Sequence, residues 1–134
     1  MHYIIESIVV GIYCVILYFV VSIFFTNTFI NAVFITGFLK HFLAYHLGLH
    51  SWYCNNGYAC ININKNENKI AMNNYILIES IGEGILFLLV AIVLNSALTN
   101  KYLIMFLIGF ILHITFELIG IHKYFCLVRC AAKV

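Results

Sequence analysis

Long apolar runs with brief polar punctuation dominate the chain. Four of them, Ile4 to Phe25, Phe29 to Leu49, Tyr75 to Leu98 and Tyr102 to Ile121, have the roughly 20 residues that a helix rising about 1.5 Å per residue needs to cross a hydrocarbon layer. Thr26-Asn27-Thr28 separates the first two and Thr99-Asn100-Lys101 the last two. Links this short make each pair an antiparallel helical hairpin. The one clearly polar stretch, residues 55–74, is rich in Asn, carries Lys65, Glu67 and Lys69, and reads as a solvated loop. The pattern predicts an all-α polytopic membrane protein with four transmembrane helices. Its parts are a first hairpin over 1–54, the loop over 55–74, a second hairpin over 75–126 and a short, mildly basic tail over 127–134. Met1-His2-Tyr3 puts no Lys or Arg before the first run. That run is also too long for a signal-peptide core, so it is expected to be retained.

The hairpins are two copies of one unit. GFLKHFLAYHLGLHSWYC from Gly37 to Cys54 returns as GFILHITFELIGIHKYFC from Gly109 to Cys126. Matches at Leu and Ile mean little in so apolar a chain, but Gly37, His41, Gly48, His50 and Cys54 also recur, as Gly109, His113, Gly120, His122 and Cys126. Upstream, IESI at Ile5 to Ile8 returns at Ile78 to Ile81, and Gly11 returns as Gly84. A self-similar period is the first thing to settle, because it decides the architecture. Two copies that each cross twice enter and leave on the same side. The expected arrangement is therefore a four-helix bundle whose halves are related by a pseudo-two-fold axis along the membrane normal.

Composition narrows the function classes. At 64% apolar and 9% charged residues, the 134-residue chain cannot clothe a soluble domain. A net charge of +2 with scattered basic residues excludes a nucleic-acid-binding surface. Lys65, Lys69, Lys123, Arg129 and Lys133 lie on the side of the termini and long loop, against Lys101 at the short turns. The positive-inside rule then places both termini and the 55–74 loop on a cytosolic-equivalent side.

Ionisable groups within membrane spans are costly, so they mark candidate sites. Glu6, His46 and His50 of the first copy lie toward the same face as Glu79, Glu117 and His122 of the second, while His41, Glu83 and His113 lie deeper. His41 and His113 can be read as imidazoles facing across the pseudo-axis to hold a haem iron or other metal. The plainer reading is that each binds a Glu or a backbone carbonyl and locks the hairpins together. Glu79 and Glu83, like His113 and Glu117, are spaced i, i+4 on one helix face. The first copy, however, has Val10 in place of Glu83 and Tyr45 in place of Glu117, which disfavours a symmetric two-metal site. Lys40 is expected to pair with one of the carboxylates or to lie beside lipid headgroups.

Cysteines follow each hairpin, as His50-x3-Cys54-x5-Cys60 and His122-x3-Cys126-x3-Cys130, with Cys14 alone inside a helix. Cys54, Cys60, Cys126 and Cys130 suit either two disulfides, with three connectivities open, or a zinc site in which His50, Cys54, His122 and Cys126 are candidate ligands. Cys126 and Cys130 on one continuous helix pair poorly unless it unwinds after Tyr124. Trp52, Tyr53, Tyr58, Tyr124 and Phe125 suit an interfacial aromatic belt.

With no nucleotide loop, no nucleophile beside a base and no charged pore-lining series, the expected function is structural and free of cofactors: a small integral membrane protein that anchors or organises a larger assembly. One rival is a membrane thiol oxidoreductase using two cysteine pairs on one face. It resembles in outline the quinone-linked thiol oxidases of the DsbB and vitamin K epoxide reductase type, but has no CxxC. The other rival is a His-ligated haem or metal protein. In its Ile, Phe, Tyr and Asn bias, its small size and its cysteine-bearing polar loop, the chain resembles the small membrane proteins of nucleocytoplasmic large DNA viruses. That resemblance implies an internal virion membrane, capsid or membrane proteins as partners besides the lipid bilayer, and a thiol oxidase able to maintain disulfides.

Overall fold

The structure, a computed structural model, describes residues 2–25, 27–61 and 75–130. Among them the helices are α1 Tyr3–Phe24, α2 Phe29–His46, α3 Leu49–Asn56, α4 Tyr58–Ile61, α5 Ile76–Asn95, α6 Lys101–Leu118 and α7 Ile121–Arg129, with no strand. The apolar runs propagate as helices because no proline interrupts them. Two of their starts are capped by a side chain. His2 Nδ1 accepts from Ile4 N at 3.3 Å to begin α1, and Asn100 Oδ1 accepts from Tyr102 N and Leu103 N at 3.0 and 3.1 Å to begin α6.

Three helices, α1, α5 and α6, are each long and apolar enough to cross a membrane. The fourth expected span qualifies only as α2 together with α3, a pair bent by 74°. The expected ends at Leu49 and Ile121 therefore move back to His46 and Leu118. Gly48 and Gly120 cause the shift. They hold φ of 77° and 83°, in the left-handed region that glycine alone enters without steric cost. Their N–H groups donate to Tyr45 O and Glu117 O, closing the old helix before a new one leaves in another direction. One consequence is that α7 covers the end of the expected second hairpin and the first three residues of the expected tail. Another is that α4 opens the expected loop, whose residues 62–74 lie outside the described ones, as do 131–134.

α1 packs along α6 and α2 along α5, so the first long helix of each copy lies against the second long helix of the other, and α1 also meets α2. Glycine permits the close approach. A Cβ added at Gly109 would stand 2.7 Å from Cys14 Sγ and 3.1 Å from Gly11 Cα, and one added at Gly37 would stand 2.7 Å from the Phe87 ring and 3.0 Å from Gly84 Cα. The same correspondence holds one step along, where Gly11 faces Phe106 and Gly84 faces Phe34. Around these crossings Cys14, Tyr18, Val21, Ala32, Val33, Phe87, Ala91, Ile104, Met105, Ile108 and Leu112 form the core. Ser7 and Ser80 keep their buried hydroxyls satisfied by donating to Tyr3 O and Ile76 O, one turn back. The outward faces of α1 and α5 are mostly apolar, with Ile5, Val9, Ile12, Ile16 and Phe19 on one and Ile78, Ile85, Leu89 and Ile92 on the other. That exterior suits lipid.

The crossings make a paired prediction. Gly37→Ala forces a methyl against Phe87 and the Gly84 backbone and should lower unfolding stability in detergent by about 1–3 kcal/mol, the usual cost of overpacking. Gly82→Ala meets nothing within 4 Å and should stabilise by roughly 0.5–1 kcal/mol, the helix preference of Ala over Gly. Thermal denaturation of the two variants side by side checks the difference in sign.

Candidate functional site

The turns at Gly48 and Gly120 swing α3 and α7 over the end of the bundle that carries the N-terminus. There they meet α4. The cysteines these elements bear bond between the copies: Cys54 joins Cys130 and Cys60 joins Cys126, each with Cα atoms 5.3 Å apart, within the usual span for a disulfide. Of the three open connectivities, the within-copy one and the one joining Cys54 to Cys126 and Cys60 to Cys130 are thus set aside, and α7 stays helical through Cys126, so no unwinding after Tyr124 is needed. The bonds close stretches of 76 and 66 residues, and in the chain-entropy picture either one alone removes about 4 kcal/mol of unfolded-state freedom. The two disulfides touch, with Cys60 Sγ 3.8 Å from Cys130 Sγ, beneath Tyr53, Ala59 and Phe125. Cys14, within α1, is buried and unbonded.

Among the described residues, the His and Cys donors suggested for zinc do not converge as one set. Cys60, Cys126 and Cys130 bring their sulfurs within 4.8 Å of one another, while His50 and His122 join two separate polar clusters below. The first lies between α2, α3 and α5. His41 Nδ1 stands 2.9 Å from Glu83 Oε2 and His41 Nε2 stands 3.3 Å from Glu79 Oε2. Lys40 pairs with Glu83, as one of its two expected roles had it, and Arg129 reaches from α7 to Glu79. The His50 ring stands edge-on to His41 at 4.8 Å and to Phe125 at 5.3 Å. Burial, with His41 beside it, pushes the His50 imidazole down to about 4.

A second cluster lies between α1, α6 and α7. Glu6 Oε1 accepts the backbone N–H of Tyr58 at 2.7 Å, while its Oε2 faces His113 Nε2 at 3.5 Å. His122 Nδ1 and Glu117 Oε2 are 2.9 Å apart, and the Tyr53 hydroxyl donates to the same Glu117 oxygen at 3.5 Å. The His113 and His122 rings lie 4.4 Å apart, with Tyr53 against both. Burial raises the Tyr53 phenol well above its ordinary range and lowers His122, the latter against the opposing pull of Glu117.

The matched Glu, His and His of the repeat are thus assembled twice, as Glu79, His41 and His50 and as Glu6, His113 and His122. Each set draws its Glu from one copy and both imidazoles from the other. His41 stands against Glu83 and Glu79, whereas His113 Nε2 faces Glu6 Oε2 at 3.5 Å and has no hydrogen-bond partner. His46 stays outside both, exposed, with its ring tilted against Phe42 at 4.4 Å. Tyr53 and Phe125 of the expected aromatic belt pack inside this end of the bundle, whereas Trp52, Tyr58 and Tyr124 are exposed. Sequence reasoning missed the Arg129 to Glu79 pair, the Tyr53 hydroxyl and the Tyr58 amide. A signal for the Lys40 to Glu83 pair was present: both are unmatched at the corresponding positions, where Leu112 and Val10 stand, so the extra cation and the extra anion are each other's natural partner.

No protein-family model, curated protein or solved structure matches the chain.

Two predictions follow from this geometry. Peptide mapping without reduction should recover Cys54 linked to Cys130 and Cys60 linked to Cys126, with Cys14 the one cysteine alkylated after denaturation. A neutral folded imidazole at His50 stabilises the fold fully above its ordinary value of 6.5, and that contribution is lost as pH falls from 6.5 toward about 4. Melting temperature should fall across that window, and less steeply in His50→Gln.

Proposed function

We propose that this chain is a small structural integral membrane protein: a four-helix unit, its halves related by a pseudo-two-fold axis along the membrane normal, that anchors or organises a larger membrane-associated assembly. The observation that carries the reading is the pair of disulfides, each tying one repeat to the other at the same end of the bundle. Such bonds fix the relative position of two hairpins that lipid by itself holds weakly, since polar contacts between membrane helices add only about 0.6–2 kcal/mol. Cys60, Cys126 and Cys130 are buried, which suits permanent staples better than a dithiol that must meet a substrate. The apolar flanks of α1 and α5 suit lipid, and this stapled end, with α3, α4 and α7, is the surface offered to a partner.

We place that end, with both termini, on the cytosolic-equivalent side by its basic residues. Disulfides persist there where a thiol oxidase is present, as in the virion-membrane setting implied by the chain's compositional resemblance. One observation favours a second reading, a thiol oxidoreductase: the 3.8 Å contact between the sulfurs of Cys60 and Cys130 is the proximity that exchange between two disulfides requires.

Proximity labelling from a tag inserted in the 55–74 loop, in the native host membrane, tests the structural reading together with a quinone-dependent dithiol oxidation assay. A fixed set of assembly proteins and no turnover is expected. Turnover abolished by Cys54→Ser, with no reproducible neighbours, would replace it with the oxidoreductase.

A further inference from the structure

The two clusters differ in charge. In the first, the carboxylates of Glu79 and Glu83 are matched by the cations of Arg129 and Lys40. In the second, Glu6 and Glu117 have no lysine or arginine paired with either among the described residues; their ion-pair neighbours are His113 and His122. Leu112 occupies the repeat position of Lys40. A buried carboxylate at Glu6 and a largely buried one at Glu117, with no lysine or arginine beside them, are costly in a low-dielectric interior.

The cost is concentrated at one point. Glu6 Oε2 and His113 Nε2 are buried, on residues only 4% and 7% exposed, and neither atom has a hydrogen-bond partner. They nonetheless stand 3.5 Å apart, close to the roughly 3.3 Å that separates two ligands each about 2.0–2.1 Å from one tetrahedral ion. His122 and Glu117 lie alongside, joined to one another. Among the described residues only the sulfur cluster already has three donors mutually within 4.8 Å, so here one pair is preset and the others must be drawn in.

From this we propose that the second cluster binds a single divalent transition-metal ion, held by Glu6 Oε2 and His113 Nε2 and completed by His122 and Glu117. Two carboxylates and two neutral imidazoles around such an ion sum to zero charge, which removes the imbalance. Mixed nitrogen and oxygen donors suit zinc or cobalt. The Tyr58 amide to Glu6 and the Tyr53 hydroxyl to Glu117 hold the carboxylates from outside, as supporting groups do at metal sites. The first cluster, already neutralised by Lys40 and Arg129, takes no ion. The site is compatible with the structural role proposed above and does not depend on it.

The test uses the whole oxidised chain in detergent, with zinc for stoichiometry and cobalt for spectroscopy. One zinc per chain is expected, with visible cobalt bands of nitrogen and oxygen coordination and no sulfur-to-cobalt charge transfer. Binding should be lost in Glu6→Gln and in His113→Gln and kept in His41→Gln. Correct disulfide mapping of each variant shows that a loss is not misfolding. Absence of zinc from the wild-type chain at neutral pH would overturn the proposal, as would binding that survives both Glu6→Gln and His113→Gln. A sulfur charge-transfer band in the cobalt form would also overturn it, by placing the ion at the cysteines.

Discussion

Everything at the working end of this molecule hangs on how closely its long helices can approach. Gly109 lies against Gly11 and Gly37 lies against Gly84, in each case a helix of one repeat on a helix of the other. Helices of membrane-spanning length and apolarity pack through van der Waals contact across small residues, and these crossings supply it. These crossings decide which side chains meet. Because α1 runs along α6 and α5 along α2, Glu6 comes to His113 and Glu79 comes to His41, and α3 and α7 arrive over the bundle with their cysteines facing.

Glycine acts a second time where each hairpin ends. At Gly48 and Gly120 a positive φ lets the chain change direction within one residue. Without those turns α2 and α6 would carry Cys54 and Cys126 straight on, away from the bundle. With them, α3 and α7 fold across the end and the sulfurs reach the opposite repeat. The disulfides then make permanent what the crossings only favour, since a covalent link acts on the unfolded chain whatever the solvent.

The matching stretches agree where geometry is concerned and differ where charge is handled. His50 packs on Phe125 and His122 on Tyr53, so each bent arm places an imidazole against an aromatic ring of the other. Electrostatically the two clusters differ. Lys40 with Glu83 adds a compensated pair to one, while Glu117 adds to the other a carboxylate that no lysine or arginine pairs with among the described residues. Burial makes that difference matter, because a surface carboxylate would be solvated at little cost.

Much of this was legible in the residues. Apolar runs of membrane length with polar punctuation dictated an all-helical chain with helices long enough to cross a membrane, because a long apolar run satisfies its backbone hydrogen bonds within itself as a helix. The glycines at 48 and 120 were visible as repeat matches, but not as turns, since an apolar stretch reads alike on either side of a bend. Cysteine connectivity, the partners of Lys40 and Arg129, and the separation of His41 from His113 into two clusters were decided only by tertiary structure. Those contacts depend on which helix face meets which, and periodicity along one chain does not encode the distance between two.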